Sequence, residues 1–288
     1  MANYDVLGNI VIVKFPRGEK LSVKKKFAEK FLREHKNVRT VLEKSYKFAG
    51  RLRTQKTKFI VGEKTKEALY RENDCVFRLN VDTCYFSPRL ASERKEIASK
   101  VKKGERVLVM FGGVAPFAVV IGKLSKAEKI YSVELGKECS KYAFENVKRN
   151  KLQDKVEVVQ GDVRRKVPKF KERFDRVIMP RPNLKDSFLD VAFRAIKKNG
   201  VIHYYGFSPS HKSVRLKYKK IVQPIYSPSH SRTSERELID NKKDIEMLKS
   251  LIEAEARKAR RKIKIIGIKK AGEIGKGKFR WRVDFVVN

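Results

Sequence analysis

Two segments carry residue types that could do chemistry together. One is Asp82-Thr-Cys-Tyr-Phe-Ser-Pro-Arg-Leu-Ala-Ser-Glu-Arg94, which gathers aromatic rings, two arginines and a carboxylate into one short stretch. The other is Val107-Leu-Val-Met-Phe-Gly-Gly-Val-Ala-Pro-Phe117, an apolar strand that runs into a glycine pair and a helix start. A strand feeding a Gly-rich turn and a helix is how α/β enzymes hold a nucleotide-like cofactor. Gly112 and Gly113 fit that need, because glycine removes Cβ where backbone and ligand meet. Beside such a cofactor, the residues of the first segment suit a flat, polar substrate with anionic character, such as an RNA base.

Two further acids stand where this reading needs them. Tyr131-Ser-Val-Glu134 ends the next apolar run, and a carboxylate there can accept from both hydroxyls of a ribose. Val159-Gln-Gly-Asp162 ends the third run, where Asp162 can accept from an adenine amino group. The order glycine turn, acid, Gly-Asp describes many methyltransferases, of small molecules, proteins or nucleic acids.

Composition points to a polyanionic partner on separate grounds. The 288 residues include 70 Lys+Arg against 33 Asp+Glu, a formal net charge of +37. A thermally hardened surface would add glutamate along with lysine, whereas here acids fall far behind. Such a field attracts nucleic acid and speeds its encounter. Apolar residues make up 41% of the chain, enough for a packed core and too many for a disordered basic tail. Cys75, Cys84 and Cys139 form no CxxC pair and read as buried thiols of a reducing compartment. His35, His203, His211 and His230 form no metal motif, so no metal ligands are assigned. Neither a signal peptide nor a membrane-spanning apolar run is evident. The expectation is a soluble, cytoplasmic protein.

Periodicity supplies the elements that must position these residues. Asn9 to Phe15, Val38 to Glu43, Lys58 to Val61 and Cys75 to Val81 read as strands, and Leu21 to Glu34 as a helix with Val23, Phe27 and Phe31 at helical spacing. The basic tract Gly50 to Lys56 reads as a loop. From Arg94 the pattern alternates. Helices are expected over Arg94 to Lys102, Pro116 to Lys123, Lys137 to Asn150 and Ser187 to Lys197. Strands are expected over Arg106 to Met110, Lys129 to Glu134, Val156 to Gln160, Arg173 to Met179 and Val201 to Tyr205. This alternation predicts an α/β fold with a parallel sheet and a small α+β unit before it. Ile263 to Lys269 and Phe279 to Val287, joined by Gly272 to Gly277, read as a closing antiparallel pair. The intervening stretch, about 208–261, is a basic insertion. It contains the pseudo-repeat Ser208-Pro-Ser-His and Ser227-Pro-Ser-His, and then a long helix capped at Thr233 or Ser234 with Leu238, Ile245, Leu248 and Ile252 as its apolar stripe. The basic end of that helix, with Arg257, Arg260 and Arg261, is a candidate contact for RNA phosphate; complementing the helix dipole explains the charge equally well.

Tyr85-Phe-Ser-Pro-Arg-Leu-Ala-Ser-Glu-Arg94, taken with the glycine turn, resembles the signature of the archaeal-eukaryotic family of tRNA methyltransferases that modify N1 of guanosine 37. The resemblance extends over Tyr4 to Val13, Arg71-Glu-Asn-Asp74, Asn146 to Arg164 and Val201 to Tyr205, and leaves out about 208–261. It implies a class I (Rossmann-like) methyltransferase domain at 94–288, an RNA-orienting domain at 1–93, S-adenosylmethionine as methyl donor and the tRNA anticodon stem-loop as partner. It implies no membrane or DNA partner, a monomer, and tolerance of Mg2+ without a motif that demands it. By the same resemblance, Glu93 takes the guanine N1 proton and Arg53 stabilises charge reaching O6. Tyr85, Arg89, Phe111 and Pro180 join Gly112, Gly113, Glu134 and Asp162 around the cofactor, Arg94 and Arg181 meet RNA, and ordering of Glu93 is the other role open to Arg94. The chain departs from the pattern at Val109, where many relatives carry aspartate, and at Ala115, where they carry glycine. At Met179-Pro-Arg-Pro182 many relatives carry Asn-x-Pro. Rival readings are a wyosine-synthesis enzyme on the same scaffold, moving a methyl or aminocarboxypropyl group, and a non-catalytic RNA-binding protein with a degenerate methyltransferase domain.

Overall fold

A computed structural model describes residues 3–45, 50, 54–180, 186–207, 233–275 and 278–288, with the side chains of 233–241, 274–275 and 278 left aside. The chain divides into two compact units, Met1–Lys169 and Phe170–Asn288.

The first unit opens with a four-stranded sheet in the order β1-β2-β3-β4, made from β1 (Asn3–Leu7), β2 (Ile10–Lys14), β3 (Thr40–Lys44) and β4 (Thr57–Gly62). Helix α1 (Leu21–Glu34) connects β2 to β3, which pair in parallel. Side chains alternate along a strand, so each face of this sheet has its own core. Val11, Val13 and Val41 pack with Ala28 and Phe31 of α1. Ile10 and Leu42, pointing the other way, join Leu7, Leu79, Val81, Cys84, Val114 and Cys139. The hairpin β5 (Glu67–Glu72) and β6 (Cys75–Asn80) turns at Asn73 and Asp74, both with positive φ. β1 and β5 carry no continuous apolar run and escaped the sequence reading. β1 is an edge strand exposed along most of its length.

A 3-10 turn at Pro88–Leu90 then leads into α2 (Ala91–Lys100). Three strands follow in parallel register, β7 (Arg106–Met110) with β8 (Lys129–Glu134) and β8 with β9 (Val156–Gln160). The helices between and after them are α3 (Pro116–Leu124), α4 (Lys137–Arg149) and the single turn α5 (Val163–Lys166). The three strands begin and end where periodicity placed them.

In the second unit β10 (Phe174–Met179) pairs in parallel with β11 (Ile196–Phe207). β11 pairs antiparallel with β13 (Lys278–Val287), and β13 with β12 (Ile263–Gly275). Helix α6 (Leu189–Ala195) is shorter than expected, and the turn expected from Gly272 is partly strand, because β12 runs on to Gly275 through register shifts. The long helix α7 (Thr233–Lys258) buries Leu248, Ile252 and Ala256, an i, i+4, i+8 stripe. A Cβ on Gly206 would meet Leu248 Cδ2 at 2.3 Å, so glycine lets α7 settle on β11. Behind β10, Arg176 Nη1 donates to His203 Nε2 (2.7 Å) and His203 Nδ1 donates to Asp284 Oδ1 (2.6 Å). Burial pushes the His203 pKa down and the imidazole stays neutral. The pseudo-repeat at Ser208 and Ser227 lies outside the described residues.

The cysteines correct the sequence reading. Cys84 and Cys139 form a disulfide with Cα atoms 5.5 Å apart, across 55 residues of chain. The β6–α2 segment and the start of α4 meet in one core, which brings the two together; sequence spacing carries no trace of that. Cys75 stays a buried thiol, its pKa pushed up to about 12 by burial.

Candidate active site

The glycine turn is built from alternating backbone hands. Phe111 (φ 59°), Gly113 (φ 58°) and Ala115 (φ 65°) are left-handed, and only glycine adopts that region without strain. This accounts for the glycine that relatives carry at Ala115. The two glycines serve different ends. A Cβ on Gly112 would strike Ser132 Oγ of β8 at 2.1 Å, so Gly112 is required by the strand beneath it. A Cβ on Gly113 would meet only Tyr85 O, at 3.8 Å, and this open side is the one a ligand can approach.

Glu134, the last residue of β8, is nearly buried and anchored by backbone. Its Oε2 accepts from Gly113 N (2.8 Å) and its Oε1 from Gly136 N (2.6 Å). Each oxygen retains a second lone pair, the acceptors a ribose diol needs. Asp162 follows Gly161 (φ 145°) at the end of β9 and caps α5, its Oδ1 accepting from Arg164 N (2.9 Å). The open Gly113 backbone, the anchored carboxylate and the third strand-end acid fit an adenosine-bearing cofactor. Among the described residues, no group of three or more His, Cys, Asp or Glu could hold a metal ion.

The signature segment lies against this turn through Tyr85. Glu93 sits in the first turn of α2 with 5% of its surface exposed. Arg94, expected to meet RNA, is instead 1% exposed and forms a two-pronged ion pair with Glu72 of β5. Its Nη2 also donates to Ser87 O (3.1 Å), and its guanidinium lies over the rings of Phe86 and Phe117. A guanidinium this buried, with Nε and Nη2 on Glu72 and Ser87, is not presented to a phosphate. Its work is to hold the loop that precedes Glu93. Arg89, expected at the cofactor, is exposed and reaches Asp5 Oδ1 of β1 at 2.6 Å. Asp5, Arg89, Tyr85 and Lys14 all act on Lys44 of β3, whose pKa burial lowers most.

Arg53 and Arg181 lie outside the described residues. Pro180 directly follows β10 in the second unit. Arg257 and Arg260 are exposed at the end of α7, whereas Arg261 turns inward, with Nη1 on Phe193 O (3.0 Å) and Nε on Asn288 O (3.4 Å). Those two carbonyls give Arg261 a structural role at the end of the chain. Glu72 escaped the sequence reading as a partner of Arg94, although Arg71-Glu-Asn-Asp74 belonged to the resemblance.

Residues 68–233 match the TRM5/TYW2 methyltransferase domain, and residues 1–65 match the TYW2 N-terminal domain. The chain belongs to the TRM5/TYW2 methyltransferase family. It is 38% identical over 207 residues to the tRNA (guanine(37)-N(1))-methyltransferase Trm5b of Pyrococcus abyssi, covering 72% of this chain and 60% of that relative. It is 33% identical over 270 residues to the tRNA (guanine(37)-N(1))/4-demethylwyosine(37)-methyltransferase Taw22 of Nanoarchaeum equitans, covering 76% of this chain and 88% of the relative. The crystal structure of Trm5b from Pyrococcus abyssi superposes with a TM-score of 0.76 at 30% identity, over 99% of this chain and 75% of that one. The chain thus spans about 60% of the length of its Pyrococcus relative. The fold is that of a class I methyltransferase with an N-terminal α+β domain.

Proposed function

We propose that this chain transfers methyl from S-adenosylmethionine to N1 of guanosine 37 in tRNA, acting as a monomer in the cytoplasm. The observation that carries the reading is the approach of Tyr85 O to the open side of Gly113, which sets the signature segment beside the cofactor turn. Residues 1–93 orient the anticodon stem-loop and residues 94–288 hold the cofactor. Gly113, Glu134 and Asp162 bind and orient the adenosine part. Bound S-adenosylmethionine supplies an electrophilic methyl group on a sulfonium centre. Guanine N1 is a weak acid and becomes nucleophilic only when its proton leaves. Glu93 is the base that accepts that proton, and Arg53 stabilises the negative charge that develops at O6. The Arg94–Glu72 pair keeps the Ser87–Arg94 turn in place while this happens.

Nucleoside mass spectrometry of unmodified tRNA incubated with enzyme and S-adenosylmethionine tests the proposal. N1-methylguanosine at position 37 is expected, and a tRNA with adenosine at that position should stay unmethylated. No methylguanosine despite measurable cofactor binding would remove the assignment. A second reading, methylation of 4-demethylwyosine at the same position, is favoured by the TYW2 N-terminal match and by the double activity in the name of the Nanoarchaeum relative. The same assay on tRNA carrying that base distinguishes the two.

A further inference from the structure

Helix α4 and its C-cap residue Asn150 present two asparagines, four positions apart, to the outer edge of β6. Asn146 Oδ1 accepts from Arg78 N (2.8 Å) and its Nδ2 donates to Arg78 O (3.1 Å). Asn150 does the same one step along, Oδ1 accepting from Val76 N (2.9 Å) and Nδ2 donating to Val76 O (2.8 Å). The match is metric. Positions i and i+4 of a helix rise about 6 Å, and alternate residues of a strand span about 6.6 to 6.8 Å. Two carboxamides therefore stand in for the strand that β6 lacks on that side. They close an edge that would otherwise leave buried backbone groups unpaired.

The two clasps differ in one respect. Asn146 Nδ2 also donates to Val114 O (3.1 Å), in the glycine turn next to Gly113. The second bond of Asn150 Nδ2 stays inside α4, on Asn146 O. The turn is thus held from three sides, by Val133 O on Gly112 N, by Glu134 on Gly113 N and by Asn146 on Val114 O. Its left-handed residues store strain that such contacts must hold in place.

We infer that Asn146 is a positioning residue for the cofactor turn, fixing the turn relative to the β5–β6 hairpin, so that cofactor affinity depends on Asn146 and not on its twin Asn150. The inference rests on the reading of the turn as the S-adenosylmethionine site. It assigns Asn146 no contact with cofactor or substrate.

The twin supplies the control. Asn146→Ala and Asn150→Ala each remove a clasp on β6, so both should lower the unfolding temperature by similar amounts. Calorimetry with S-adenosylmethionine should show affinity reduced about tenfold or more in Asn146→Ala and changed less than about twofold in Asn150→Ala. Asn146→Asp keeps the acceptor for Arg78 N and loses both Nδ2 donations, to Arg78 O and to Val114 O; with Asn150→Asp as its matched control, it should reproduce the affinity loss if the alanine variant does not fold. Equal affinities in the two alanine variants, or an Asn146→Asp protein that binds like the parent, overturn the inference. A parent chain that binds no S-adenosylmethionine overturns the functional reading instead, and the two failures are separate.

Discussion

Breaking the Cys84–Cys139 bond should cost a large part of the stability of the first unit. The bond closes 55 residues, from the residue before Tyr85 to the first turn of α4. In the chain-entropy relation a closed loop of that length restrains the unfolded chain by about 14 cal/mol/K, or about 4 kcal/mol at 25 °C. Unfolding entropy near 2 cal/mol/K per residue converts this to a drop in melting temperature. The drop is about 11 °C if Met1–Lys169 unfolds as a unit and about 7 °C if the whole chain does. The perturbation is Cys84→Ser, or dithiothreitol on the parent. The assay is thermal unfolding by circular dichroism, paired with mass spectrometry after alkylation in denaturant. Oxidised parent should take one label, at Cys75, and reduced parent should take three. Three labels on protein purified without reductant would show that the bond does not form. One label together with a melting temperature unmoved by reduction would show that the loop is already restrained in the unfolded chain, and the entropic reasoning would fail.

Four other outcomes follow from the geometry. Glu93→Gln should bind S-adenosylmethionine as the parent does and lose about a hundredfold to ten-thousandfold in single-turnover rate; a loss under about threefold removes Glu93 as the base. Ala115→Gly relieves a left-handed alanine at φ 65°, and urea denaturation should show up to about 1 kcal/mol of added stability. His203 has a depressed pKa, so its stabilising contribution is complete above the ordinary histidine value of 6.5 and is lost as pH falls through it toward the lower folded value. The stability slope below that pH should be smaller in His203→Asn, and an identical slope would mean that other groups take up the protons. Removing Arg257 and Arg260 together should reduce the logarithmic salt slope of tRNA binding by about one to two, whereas Arg261→Ala should leave that slope alone and lower stability through the lost carbonyl contacts.

Much of the cofactor half was legible without coordinates. β7 is a near-continuous apolar run because a central parallel strand is buried on both faces, β8 and the edge strand β9 carry shorter β-branched runs, and Gly112, Glu134 and Asp162 follow in order at or just past the three strand ends. Local chemistry sufficed there, since a turn, a strand end and a cap are each specified within a few residues. The exposed edge strand β1 and the polar-flanked β5 were not legible, because their pairing is decided by neighbours rather than by their own pattern. The same holds for every correction at the site. Charge in the sequence says that Arg94 and Arg261 are cations; only packing decides that one meets Glu72 in a buried pair and the other meets the carbonyls of Phe193 and Asn288. Cys84 and Cys139, and the asparagine pair that closes β6, are contacts over 55 to 74 residues of chain. The sequence determined which backbone could hold a cofactor. The tertiary structure decided what holds that backbone still, because long-range partners are chosen by the shape of the shared core and leave no periodic trace along the chain.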